Sequence, residues 1–127
     1  ALPFETASAD IVTIAFGLRN VTDRDAAIAE AHRILRPGGR FLCLEFSQVS
    51  NAALARVYDS WSFNVLPRLG QLVAGDADSY RYLVESIRTF PSPEILADMF
   101  AGASFAQVRV RRLSGGIACI HSGWKLD

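Results

Sequence analysis

An open α/β sheet is the fold class this sequence predicts, and three features of the chain predict it. Residues 10–16 (DIVTIAF) and 41–46 (FLCLEF) are nearly continuous apolar runs of strand length, the pattern of strands buried on both faces of a parallel sheet. Between them lies a helical apolar pattern that ends at Pro37-Gly38-Gly39. The chain then closes with two short strand-like runs joined by a glycine-containing turn, which reads as a β-hairpin.

The elements follow in order. Residues 10–16 form the first strand and 17–20 (GLRN) a loop. Thr22 is the expected helix N-cap, with Asp25 three residues on, close to a capping box. Ile28, Ala31 and Leu35 share one helical face, flanked by Ala27 and Ile34. Pro37-Gly38-Gly39 stops that helix, and residues 41–46 form the second strand. Strand, helix and strand make a βαβ unit, so the two strands run parallel with a right-handed crossover. Residues 51–66 predict a helix with Leu54, Val57, Tyr58, Trp61 and Val65 on one face. Pro, Gly and Asp make 67–78 a loop. Residues 79–88 predict a short helix, 91–93 a break, and 93–101 a helix whose apolar face is Ile95, Leu96, Met99 and Phe100. Residues 105–112 alternate late in their length and predict a half-exposed strand. Residues 113–116 turn, and 117–121 form the last strand. With no repeat, low-complexity tract or interior linker, residues 1–127 read as part of a single domain, the second half of an open sheet. Ligands of such sheets bind at the carboxyl ends of the parallel strands, where 17–20 and 45–47 sit.

Composition narrows the function classes. Half of the 127 residues are hydrophobic and a fifth are charged, as in a globular domain. Thirteen basic residues balance thirteen acidic ones. That argues against a nucleic-acid partner, which needs surplus Lys and Arg. Cys43 and Cys119 are the only cysteines. Each lies in an apolar run, so both read as reduced core thiols, and a reducing compartment follows. No apolar stretch is long enough to span a bilayer. His32 and His121 are too few and too scattered to suggest a metal site. The chain opens abruptly at Ala1, which suggests a piece of a longer protein.

Several segments carry a resemblance. They are ALPF at 1–4, FGLRNVTD at 16–23, LRPGGRFLCLEFS at 35–47, DADSYRYLVESI at 76–87 and GGIACIHSGWK at 115–125. RPGG before a strand is common to many methyltransferases; FGLRN together with DSYRYLVESI is specific. The chain resembles, over essentially its whole length, the C-terminal part of the UbiE-type C-methyltransferases of ubiquinone and menaquinone biosynthesis. That resemblance implies a class I (Rossmann-like) methyltransferase fold, a sheet whose last two strands form an antiparallel hairpin. It implies S-adenosylmethionine as methyl donor and a polyprenylated benzoquinol or naphthoquinol as acceptor. The implied location is the cytoplasm or the mitochondrial matrix, with peripheral contact at the inner membrane face left open. The family's glycine-rich loop and ribose-holding acid are missing. Gly38-Gly39 cannot replace that loop, because a nucleotide cradle needs strand, glycines, then helix. The chain alone is therefore expected to bind the donor weakly and to be inactive. An unpaired strand at 10–16 also predicts self-association into a homo-oligomer.

Aromatic C-methylation needs an electron-rich ring. Removing the quinol proton makes a phenolate, and the site must hold it and align the two reactants. The resemblance makes Arg19 the leading catalytic candidate. Its guanidinium stays protonated and is a poor base, so phenolate stabilisation, or proton removal relayed through water, is its role. By location alone Arg19 reads equally as a surface arginine bonded to helix carbonyls. Asn20 is the second catalytic candidate, or simply turn chemistry. Leu2, Phe4, Ala15, Phe16 and Gly17 are the donor-binding candidates by resemblance, although many relatives carry Ser where Ala15 stands and Phe4 reads more strongly as core. Tyr80, Tyr82 and Glu85 are the acceptor-binding candidates, against a solvated helix face. Asp76 and Asp78 read as helix caps before a base. Trp61, Phe63, Val65, Leu66, Leu69 and Leu72 read as core before a channel for the prenyl tail. Glu45 either faces the crevice or pairs with an arginine. Arg109, Arg111 and Arg112 guard a strand edge.

Overall fold

The computed structural model describes residues 1–47 and 77–127. The helix expected over 51–66, the loop over 67–76, Asp76, and the six candidate channel residues lie outside the described residues.

β1 (Ala9–Ala15) pairs in parallel with β2 (Leu35–Phe46), with Val12 opposite Phe41 and Ala15 opposite Leu44. α1 (Arg24–Ile34) connects them. α2 (Ala77–Thr89) and α3 (Pro93–Gly102) follow. β3 (Ala106–Leu113) and β4 (Ala118–Trp124) form the antiparallel hairpin, and β4 also pairs antiparallel with β2. The strand order is β1-β2-β4-β3. The βαβ unit and the terminal hairpin thus stand as the sequence predicts.

Strand alternation puts Phe41, Cys43 and Glu45 on the buried face of β2. The core gathers there. Phe100 of α3 stacks on Phe41 with centroids 5.0 Å apart, and Phe105 meets both rings. Leu18, Ile28, Ala31, Leu35, Phe90 and Leu96 complete the cluster. Burying each large side chain contributes roughly 1.5–3 kcal/mol. In α3, Leu96 and Phe100 carry that contact and Met99 half of it, whereas Ile95 is exposed.

Several expectations need correction. β1 is not buried on both faces. Val12 and Ile14 pack on the core, but Ile11 is 62% exposed, and Thr13 and Ala15 are exposed as well. A strand's burial depends on its neighbours. β1 is an edge strand of the described sheet, paired with β2 alone. The N-cap is Asp23, not Thr22, and its carboxylate accepts the Ala26 N–H at 3.0 Å. Helix α1 ends at Ile34, so Leu35 belongs to β2. Pro37 disfavours helix at the residue before it, which brings the extended chain forward. Gly38, with φ at +88°, lets the ladder kink between Leu35 and Arg40. The Gly38 N–H donates to the Lys125 carbonyl and the Lys125 N–H to that of Gly39. Ala77 and Asp78 are helical rather than loop.

The hairpin carries a bulge where Gln107 and Val108 oppose Gly123, and Gln107 takes φ of +51° there. Gly123 is required by close approach, because a Cβ would lie 2.8 Å from that of Phe105. Lys125 is buried and its Nζ donates to the His32 carbonyl in the last turn of α1, where a cation favours the helix dipole.

Candidate functional site

The parallel pairing of β1 runs one residue past the strand, where the Phe16 N–H donates to the Leu44 carbonyl at 2.8 Å. Phe16 then adopts φ of +56°. A bulky residue in the left-handed region is strained by roughly 1–3 kcal/mol, and such outliers cluster at ligand sites. Its ring rests on Phe46, with centroids 4.6 Å apart. A single 3-10 turn, Leu18–Asn20, follows Gly17. Leu18 anchors it in the core. The carboxyl end of β1 is thus turned sharply, presenting Arg19 and Asn20.

Arg19 is not a surface arginine; its side chain is 12% exposed. Its Nη1 donates to Glu45 Oε1 at 3.0 Å and to the Phe16 carbonyl, and its backbone N–H donates to Glu45 Oε2 at 3.2 Å. The guanidinium stands 5.8 Å from the Phe46 ring centroid. Glu45, 2% exposed at the end of β2, also accepts the Phe46 N–H at 3.0 Å. Of the two readings of Glu45, pairing with an arginine is the one observed. Arg19 Nε is buried and has no hydrogen-bond partner among the described residues.

Helix α2 closes over this turn. Tyr82 Oη donates to Asn20 Oδ1 at 3.3 Å, across 62 residues of sequence. Arg24 adds a second tie, since its Nη2 donates to the Arg19 carbonyl while its guanidinium lies 5.0 Å from the Phe90 ring centroid. The fold therefore brings Ala15, Phe16, Gly17, Arg19, Asn20 and Tyr82 to one end of β1. Glu85 is exposed, and its backbone carbonyl accepts the Thr89 hydroxyl. Tyr80 lies in α2, its side chain outside the description. Asp78 is exposed in the first turn of α2.

Leu2 and Phe4 lie elsewhere, held by α1. The Leu2 N–H donates to Glu30 Oε1, and Arg33 Nη2 donates to the Leu2 and Phe4 carbonyls. Arg33 also holds Thr6 Oγ1 and Glu30. The Arg33 hydrogen bond, then that from Leu2, lowers Glu30 to about 2. Phe4 is exposed, which corrects its reading as a core residue. Leu2 lines an open groove of about 710 Å³ with Thr13, Ile14, Leu18, Thr22 and Glu30, running along α1 toward the turn. Leu2, Phe4 and Phe16 are exposed large apolar side chains, and of the three only Leu2 lines this groove.

Sequence reasoning missed the Glu30–Arg33 clasp and Arg24. The i, i+3 spacing of Glu30 and Arg33 signals an ion pair, but nothing local signals that the pair grips residues 2–6. Burial pushes the Cys43 thiol up to about 12, with Glu45 adding to it, the behaviour of an inert core thiol. No helix among the described residues is long and apolar enough to cross a membrane, and no three His, Cys, Asp or Glu side chains group there as metal ligands.

A model of the ubiE/COQ5 methyltransferase family matches residues 1–125. The ubiquinone/menaquinone biosynthesis C-methyltransferase UbiE of Brucella anthropi is 58% identical over 125 residues, covering 98% of this chain and 48% of that protein. The same enzyme of Methylobacterium nodulans is 60% identical over 126 residues, 99% of this chain and 50% of its own. The chain thus spans about half the length of the curated relatives it matches. Among solved structures, a SAM-dependent methyltransferase of Thermotoga maritima, described as a possible histamine N-methyltransferase, superposes with a TM-score of 0.69 at 22% identity. That match covers 98% of this chain and 59% of the other. Phosphoethanolamine N-methyltransferase 2 of Haemonchus contortus, in complex with S-adenosyl-L-methionine, gives 0.65 at 11% identity, over 98% and 35%. The fold is that of the α/β methyltransferases.

Proposed function

The chain belongs to the ubiE/COQ5 methyltransferase family, and we propose that it carries the acceptor-binding half of an S-adenosylmethionine-dependent C-methyltransferase. The acceptor is a polyprenylated benzoquinol or naphthoquinol of ubiquinone or menaquinone biosynthesis. The observation that carries this reading is the convergence of Arg19, Asn20 and Tyr82 at the carboxyl end of β1, where open α/β sheets bind ligands.

In this mechanism Arg19 holds the quinol oxygen as it loses its proton, so that charge developing on the ring is met by a fixed cation. Asn20, held by Tyr82, orients the ring or the water that takes the proton. Ala15, Phe16 and Gly17 meet the methyl donor at the end of β1, and Leu2 and Phe4 meet it from the segment held by α1. When bound, the donor would supply an electrophilic methyl to the ring carbon, its sulfur keeping the bonding pair, and the displaced ring proton would pass to water at the turn that Arg19 and Asn20 form. Tyr80, Tyr82 and Glu85 of α2 flank the acceptor.

The test uses the natural full gene product containing the chain, incubated with S-adenosylmethionine and a reduced demethylated quinol. Mass spectrometry is expected to find one added methyl on the ring. Donor binding without that product would move the assignment to another small-molecule acceptor of the same fold. A second reading rests on the exposed edge of β1. The 127-residue chain self-associates through Ile11 and Thr13, and Ile11→Lys shifts it toward monomer in light scattering. A chain that is monomeric before the substitution would sink that reading.

A further inference from the structure

We infer that Glu45 is a positioning residue for Arg19, and that it fixes the guanidinium so that the Nε–H is the donor kept for the acceptor's oxygen anion. The inference rests on the proposed quinol methylation and deepens it. Glu45 grips Arg19 twice, accepting from the backbone N–H on one oxygen and from Nη1 on the other. The Phe16 carbonyl takes a second contact to Nη1. Glu45 is itself fixed by the Phe46 N–H, and the ring of Phe46 lies beside the guanidinium. Thus Nη1 and the backbone of Arg19 are committed to protein, while Nε is buried without a partner among the described residues.

A buried, unpaired charged donor is costly unless something completes it. Here Nε belongs to the turn that also offers Asn20, to which Tyr82 of α2 donates. An oxyanion is the fitting complement, because a guanidinium presents neighbouring N–H groups in a rigid fork. A neutral carbonyl ligand would gain less from the same donor, so the interaction strengthens as the quinol oxygen becomes charged. Glu45 has no need to touch the acceptor for this; its work is to hold the fork still.

The experiment compares wild type, Glu45→Gln, Arg19→Lys and the double variant in the natural full gene product. Steady-state kinetics are scaled to folded protein by circular dichroism, and donor affinity is measured by calorimetry. Arg19→Lys keeps a cation for Glu45 but has no Nε–H. It is expected to lower kcat about a hundredfold, the usual effect of losing one oxyanion donor. Glu45→Gln should lower kcat at least about tenfold, with donor affinity within about twofold, and should add little on top of Arg19→Lys. A merely structural Glu45 would reduce the folded fraction and leave kcat per folded molecule unchanged, which overturns the inference. If Glu45→Gln does not fold, Glu45→Asp takes its place: a kcat loss of at least about tenfold with donor affinity kept upholds the inference, and an unchanged kcat per folded molecule, or full activity of Arg19→Lys, overturns it. A wild type that methylates no quinol overturns the functional reading and this inference together, whereas an active wild type with an undiminished Glu45→Gln overturns the inference alone.

Discussion

Two ion pairs close the two ends of the β1–β2 ladder, and each joins residues 26 apart in sequence. Arg36 and Asp10 meet at the amino end of β1, Arg19 and Glu45 beyond its carboxyl end, both at 3.0 Å. Their surroundings differ completely. The first pair is 52% and 80% exposed, the second 12% and 2%. The same chemical contact is therefore a solvated accessory at one end and an obligatory neutralisation at the other. In water, hydration competes with the pair and salt screens it. In the core, breaking the pair leaves a charge with no solvent to take it up. The difference also tracks position in the sheet, because the buried pair lies at the carboxyl end of β1, the end where open α/β sheets as a class bind ligands.

The largest expected effect breaks the buried pair. Glu45→Ala should destabilise the protein by about 3–5 kcal/mol, read as a fall in the urea midpoint at unchanged slope. A loss below about 1 kcal/mol would mean that the Arg19 guanidinium escapes to water and that the two ends are equivalent.

Acid titration sharpens the comparison by probing other groups tied to the same ladder. His121 lies opposite Cys43 on β4, and its Nε2–H donates to the Pro93 carbonyl. Burial lowers its pKa, with Arg112 adding to the effect; burial and Lys125 likewise lower that of His32. The unfolded chain takes up these protons more readily than the folded one. Their contribution is present above the ordinary histidine pKa of 6.5 and is lost as pH falls through the lowered folded values. Stability should decline below about pH 6.5, and His121→Asn should flatten that slope in urea titrations. Glu30 acts in a separate window. Its stabilising contact is present above 4.5 and lost as pH falls through about 2. A wild-type urea midpoint that stays flat from pH 7.5 to 5.5 would contradict the histidine assignment.

Much of this architecture is legible in the sequence. Residues 10–16 and 41–46 announce strands, the pattern between them a helix, and the strand-end rule points to Gly17–Asn20 before any geometry is known. The N-cap moved by one residue because Thr22 and Asp23 are both competent caps and only local backbone geometry selects Asp23. The exposure of Ile11 was not legible, since an apolar run shows that a strand can be buried and not what lies beside it. The Asn20–Tyr82 contact and the Arg33 grip on residues 2–6 were also hidden. They join segments 62 and about 30 residues apart, and no periodicity encodes such meetings. Glu45 was readable as a charge inside an apolar run, an oddity that demands a partner, but its choice of Arg19 over the other arginines required the fold.

The smallest expected effect falls on the exposed pair. Asp10→Ala removes the carboxylate facing Arg36, yet both side chains remain in water. Surface pairs of this kind contribute about 0–1 kcal/mol, and the lost contact is offset by freed side-chain entropy. The backbone of β1 keeps its pairing with β2 at Val12, Thr13, Ile14 and Ala15, so the register does not depend on the ion pair. Asp10→Ala should therefore shift the urea midpoint by no more than about 1 kcal/mol in free energy at low salt, and by less in 1 M salt, where the Debye length falls to about 3 Å. A loss approaching that of Glu45→Ala would show that Arg36–Asp10 fixes the kink around Gly38. The amino end of the ladder would then depend on its charges as heavily as the carboxyl end does.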